Sequence, residues 1–195
     1  MRKTLLVLVA VLVLSGMASS QGFITTQFAS NNGGSAGWMN MFVLQVINPA
    51  GLTITSLDVN VSDAVSTTIS LAVYTIPNTY IGNETNQKPW KLVSTGTGTA
   101  AGLDKPSPVD VADFTLSPGL YGIGIHYVAG SLRYTGTGTG NPTQRYKNAD
   151  IGLLLGKSVA GFFTGTIFSP RVWNGTIYYK PAITAIITGT GTGTI

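Results

Sequence analysis

From residue 42 to residue 179 the apolar positions recur at every second residue in short runs, and that period predicts strands with one face on a core. Leu57, Val59 and Val61 alternate with Asp58, Asn60 and Ser62. Ile69, Leu71 and Val73 alternate with Ser70, Ala72 and Tyr74, and Tyr121, Ile123, Ile125 and Tyr127 alternate with Gly122, Gly124 and His126. Residues 42–47, 90–93, 132–135, 151–155 and 172–179 are further strand candidates, rich in β-branched and aromatic side chains. No window carries a helical stripe.

Turn chemistry separates the runs at Asn31-Asn32-Gly33-Gly34, Asn48-Pro49-Ala50-Gly51, Pro77-Asn78, Ser117-Pro118-Gly119 and Asn141-Pro142. Asn174-Gly175 interrupts the last β-like run, either as a two-residue hairpin turn or as a bulge within one long strand. Many short strands so punctuated predict an all-β single domain, an antiparallel β-sandwich or jelly roll. Thr-Gly dipeptides recur unevenly at 95–99, 135–140, 164–166 and 188–194. Glycine weakens strands while threonine favours them, so these tracts read as flexible linkers or edges. The alternative for the last tract, with residues 182–187, is a strand that adds to another molecule's sheet.

Ahead of the β-pattern stands a different kind of segment. Arg2 and Lys3 precede an unbroken apolar run over 5–14, and Met17-Ala18-Ser19-Ser20 supplies small residues for cleavage before Gln21. Residues 1–20 therefore read as a signal peptide, 21–180 as the β-domain and 181–195 as a Thr/Gly-rich tail. Ten apolar residues fall short of the ~20 that cross a bilayer, so no membrane span is expected after cleavage. The expected location is secreted, extracellular or at the cell surface.

Charge then narrows the partners. Of eleven basic residues the leader takes two, leaving nine against seven acids, a net charge of +2. These nine are scattered, with no stripe suited to tracking phosphates, so nucleic acid is not an expected partner. The chain has no cysteine, which removes disulfides and thiolate metal sites and leaves the core to hold the domain.

Catalytic constellations fail one by one. Gly152-Leu153-Leu154-Leu155-Gly156-Lys157-Ser158 has three residues between its glycines where a phosphate loop requires four, and no helix follows. His126 is the only histidine, so neither a metal pair nor a relay can be assembled around it, and a structural role is expected. No Gly-x-Ser-x-Gly elbow is present. Asp58, Asn60 and Asp63, and separately Asp110 and Asp113, are oxygen donors of the kind calcium takes, yet neither set forms a calcium-loop signature. Spacing selects no pair of acids for glycoside hydrolysis. No enzyme activity and no cofactor are expected, with calcium the one cation the acids could accept.

Aromatic side chains are the remaining handle for binding. Trp38, Trp90 and Trp173 stand among Tyr74, Tyr80, Tyr134, Tyr146 and Tyr178, and an exposed ring of this kind stacks on the apolar face of a sugar. Trp173 reads as core; Trp38 and Trp90 are the expected platforms.

The run Phe168-Ser169-Pro170-Arg171-Val172-Trp173-Asn174-Gly175-Thr176-Ile177-Tyr178-Tyr179, with Leu132-Arg133-Tyr134-Thr135 and Tyr146-Lys147-Asn148-Ala149-Asp150 before it, resembles a secreted bacterial β-sandwich family of uncharacterised function. A strand like Ile54-Thr55-Ser56-Leu57-Asp58-Val59-Asn60 is similar too, and the resemblance extends over most of 28–179. It implies export and a β-sandwich, and no activity. The expected function is a non-enzymatic surface or matrix protein, structural or adhesive, whose partners are itself or other cell-surface proteins. The alternative is a carbohydrate-binding module that holds polysaccharide on exposed aromatics.

Overall fold

The computed structural model describes residues 20–136 and 145–182. Among them are fourteen strands: β1 (Gly22–Thr25), β2 (Asn32–Gly33), β3 (Met39–Val46), β4 (Leu52–Val59), β5 (Thr68–Pro77), β6 (Lys91–Thr99), β7 (Ser107–Leu116), β8 (Gly119–Ala129), β9 (Arg133–Gly136), β10 (Arg145–Lys147), β11 (Ile151–Val159), β12 (Ile167–Phe168), β13 (Arg171–Trp173) and β14 (Gly175–Pro181). The leader, most of the 135–140 tract, Asn141-Pro142 and the tail beyond Ala182 lie outside the described residues. No helix among the described residues is long and apolar enough to cross a membrane.

The chain folds as a wound antiparallel ribbon. It runs out through β3, β4 and β5 and returns through β6, β7 and β8, so that β5 pairs β6, β4 pairs β7 and β3 pairs β8. The resulting large sheet has the order β1-β14-β4-β7-β6-β5-β8-β3-β11-β10, with β12 on β11. It rolls nearly closed. Asn148, just after β10, donates its amide to the Phe23 carbonyl of β1 at 3.1 Å and to the Tyr179 hydroxyl at 2.9 Å. Such closure leaves little of the sheet edge open for pairing. The architecture is thus the predicted all-β antiparallel sandwich, in a jelly-roll-like, almost barrel-like form.

Inside the roll lie the alternating positions read from the sequence. Leu57, Val59, Val61, Ile69, Leu71, Val73, Ile123, Ile125 and Tyr127 are all buried, as are Phe42 and Leu44 from β3. A small sheet, β13-β9-β2, delivers Trp173 to this core. Its ring stacks on Phe42 at 5.1 Å and its indole N–H donates to the Tyr127 hydroxyl at 3.2 Å.

Asn174 is neither hairpin turn nor bulge. It is the point at which one run of chain leaves the small sheet as β13 and enters the large one as β14. The switch is held by buried polar groups. The Asn60 amide nitrogen donates to Asp104 Oδ1 (2.9 Å) and Asn174 Oδ1 (3.4 Å), while the Asp104 backbone N–H donates to Asn60 Oδ1 (3.0 Å). Asn174 in turn donates to Thr135 Oγ1 at 3.1 Å. Burial raises the Asp104 carboxyl, but hydrogen bonds from Ser30 and Asn60 and the Arg133 charge outweigh it and hold the group below the usual carboxylate range.

Two elements depart from the sequence pattern. The 95–99 tract is no linker: it forms the end of β6, paired on both sides, with Thr95, Thr97 and Thr99 exposed. Its glycines are required by close approach, because a Cβ on Gly98 would strike the Pro108 carbonyl oxygen and one on Gly96 the Asp110 carbonyl oxygen. β7 carries an irregularity opposite Ile54 and Ser56, so its buried set shifts from Val109 and Val111 to Phe114 and Leu116. That break of period hides the strand from a search for strict alternation.

Gly98→Ala is expected to cost about 1–3 kcal/mol, since the clash is with backbone, whereas the exposed Thr97→Ser change should stay within about 0.5 kcal/mol. Urea unfolding of the two variants checks this; equal stability would show that β6 and β7 are not so closely apposed.

Candidate functional site

The outer face of β1, β14, β4 and β7 gathers aromatic and acidic side chains on one flat surface. Register builds it: Phe23 lies opposite Tyr178, Tyr178 opposite Ser56, and Ser56 opposite Asp110. Residues directly opposite across antiparallel strands project from the same face. Ile24 turns into the core, which sends Phe23 outward, and its ring is 61% exposed. The Phe23 and Tyr178 rings sit 6.1 Å apart, tilted at 43°.

Beside this pair is a shallow depression of about 300 Å³, lined by Gln21, Ser56, Asp58, Pro108, Asp110 and Tyr178 among others. Tyr178 donates its hydroxyl to Asp58 Oδ2 at 2.8 Å, which fixes the ring against the rim. That bond to Asp58, with burial second, pushes the Tyr178 hydroxyl above the ordinary phenol range, so it remains a donor at any physiological pH. Asp110 is exposed and makes no ion pair among the described residues. The depression therefore offers an aromatic face, the exposed Asp110 carboxylate as an acceptor and the hydroxyl of Ser56 within one neighbourhood.

The tryptophans expected as platforms lie elsewhere and serve packing. Trp90 is 8% exposed, and its indole N–H donates to the Asn83 carbonyl at 3.0 Å. It belongs to a second apolar cluster on the outside of the large sheet, with Met39, Met41, Ile76, Tyr80, Val159 and Phe163. Gly122 and Gly124 make room for it, because side chains there would meet Tyr80 and Trp90. Trp38 is half-buried, stacked on Phe168 at 5.6 Å and backed by Gly34. The sequence offers both tryptophans as candidates by residue type alone, which does not reveal that loops fold back over the outer face of the sheet.

Phe23 is the residue the sequence reading misses. β1 is four residues long and its Gly-Phe-Ile-Thr run shows no alternation, so only pairing with β14 tells which way the ring points.

Neither set of oxygen donors considered for calcium is brought together as a set, although Asp58 of one and Asp110 of the other line the same depression. Asp58 is held by Tyr178, Asn60 faces Asp104, and Asp63 accepts the Ser131 N–H at 2.6 Å. Asp110 and Asp113 are exposed strand residues. No group of three or more His, Asp or Glu side chains suited to a metal occurs among the described residues. The segment 152–158, which superficially suggested a phosphate loop, is part of β11.

His126 packs against the Phe162 ring at 4.5 Å, half-buried. Burial lowers its pKa from 6.5, opposed by a hydrogen bond with the Gly37 backbone.

No protein-family model and no curated protein matches the chain. What the aromatic and acidic face offers a ligand follows from its side chains alone.

The depressed histidine makes a signed prediction. The unfolded chain takes up this proton more readily than the folded one, so stability is fully present above pH 6.5 and falls as pH drops through the folded value. Thermal unfolding between pH 7 and pH 5 should show that decline in the natural chain and lose it in His126→Gln; an identical slope in both would assign the effect to other groups.

Proposed function

We propose that this protein is an exported, non-enzymatic adhesive domain that holds polysaccharide on the outer face of β1, β14, β4 and β7. One observation carries the reading: the exposed Phe23 ring against the half-buried Tyr178, beside the exposed Asp110. Sugar rings bury their C–H faces on aromatic rings while their hydroxyls donate to carboxylates, and a shallow, open surface suits an extended polymer. The leader-like segment at 1–20 supports export to where such polymers are found. The likeness of the closing motif to secreted bacterial β-sandwich domains agrees with the same location.

Self-association through Thr/Gly-rich edges has less support. The 95–99 tract is an interior strand, paired on both sides, and the ends of the large sheet approach one another.

Retention on insoluble polysaccharides such as cellulose, chitin and xylan tests the proposal. Phe23→Ala and Asp110→Asn should each weaken retention about tenfold, about 1.4 kcal/mol, without lowering the melting temperature, while Thr97→Ser changes nothing. Retention unaffected by either substitution, or absent on every polysaccharide, would remove the proposal.

A further inference from the structure

The opposite half of the large sheet carries a second concavity of different chemistry. Two cross-strand rows form its floor. Lys147, Gly152, Gln45 and Leu120 lie side by side across β10, β11, β3 and β8, and Arg145, Leu154 and Val43 make the next row, which ends where the loop after β5 covers Gly122. The groove has a cavity volume of about 510 Å³, within the roughly 300–1,000 Å³ of small-molecule sites. Asn78, Thr79 and Ile81, from the loop after β5, form its wall.

Three features argue that the groove is a receptor rather than an accident of packing. Leu120, Leu154 and Ile81 are three of the nine large apolar side chains left exposed among the described residues, and all three converge here. Exposed apolar groups so concentrated mark a binding surface. Gly152 puts no side chain into the floor, although a Cβ there would meet nothing closer than 3.7 Å, so no close approach demands the glycine. Finally, Arg145 and Lys147 stand at the β10 edge of the trough with no ion pair or side-chain hydrogen bond among the described residues, and no carboxylate lines it.

The geometry points to an anionic amphiphile of the long-chain carboxylate class as the occupant. Its chain lies along Val43, Leu154, Leu120 and Ile81, and its carboxylate meets Arg145 and Lys147 at the sheet edge. An apolar trough alone would take any greasy ligand; two cations at one end, without an acidic partner among the described residues, select a single negative head group. This site is separate from the polysaccharide face, so either can fail without the other.

Titration calorimetry with sodium tetradecanoate, below its micelle concentration, tests it on the chain beginning at Gln21. Saturable one-to-one binding is expected. Gly152→Leu, which fills the trough, should weaken it at least tenfold, and Arg145→Gln with Lys147→Gln should weaken it at least fivefold while leaving binding of uncharged tetradecanol unchanged. If Gly152→Leu fails to fold, the double charge variant decides. Absence of saturable binding, equal affinity in the charge variant, or a dimer in light scattering that Gly152→Leu dissociates, showing a second copy in the groove, would overturn the proposal.

Discussion

The sheet switch at Asn174 is the constraint on which the rest depends. A single run of chain must serve two sheets, and the residue between them is fully buried with its amide in the interior. A buried amide is costly unless its hydrogen bonds are made, and at Asn174 the partners Asn60, Thr135 and the Val172 carbonyl make them. The same cluster fixes Asp104, whose φ of +58° is held by bonds to Asn60 and Ser30. Without disulfides, this polar knot, the Trp173 plug, Val172 and Tyr134 in the same core, and the Arg133 N–H donating to the Asn60 carbonyl join the small sheet to the large one.

Consequences run from the knot to both surfaces. By setting where β14 begins, Asn174 sets the register of Tyr178 against Phe23 and Ser56, and so the composition of the aromatic and acidic face. On the other half, glycines decide what lies on the sheet. Gly122 and Gly124 admit the loop that buries Trp90, whereas Gly152, flanked by Gln45 and Ile47, adds no side chain to the floor of the trough. The two halves of one sheet thus acquire opposite outer surfaces, polar with rings on one side and apolar with a basic edge on the other.

Much of the fold was legible in the chain because burial on one side of a strand imposes a period of two. Ile69-Leu71-Val73 and Ile123-Ile125-Tyr127 read directly as core, and the Asn48–Gly51 turn as a reversal, with Gly51 at φ +83°. What the period could not convey was anything that breaks it. β7 vanished behind its irregularity, and the Thr-Gly segment of β6 read as a linker because a glycine that admits a neighbouring backbone looks the same in sequence as one that confers freedom. The functional surface was less legible still. Tyr178 was visible as an aromatic on a strand, but Phe23 emerged only through pairing with a strand more than 150 residues away in sequence, and nothing in the sequence showed that Trp90 is buried under a loop or that Trp38 stacks on Phe168.

The most direct measurement is a nuclear magnetic resonance titration of the isotopically labelled chain from Gln21 with soluble oligosaccharides of the retained polymer. Shift changes confined to Phe23, Ser56, Asp110, Tyr178 and their strand neighbours are the predicted result. Changes clustered around Trp38 or Trp90, or no changes at saturating sugar, would contradict a polysaccharide site on the face of β1, β14, β4 and β7.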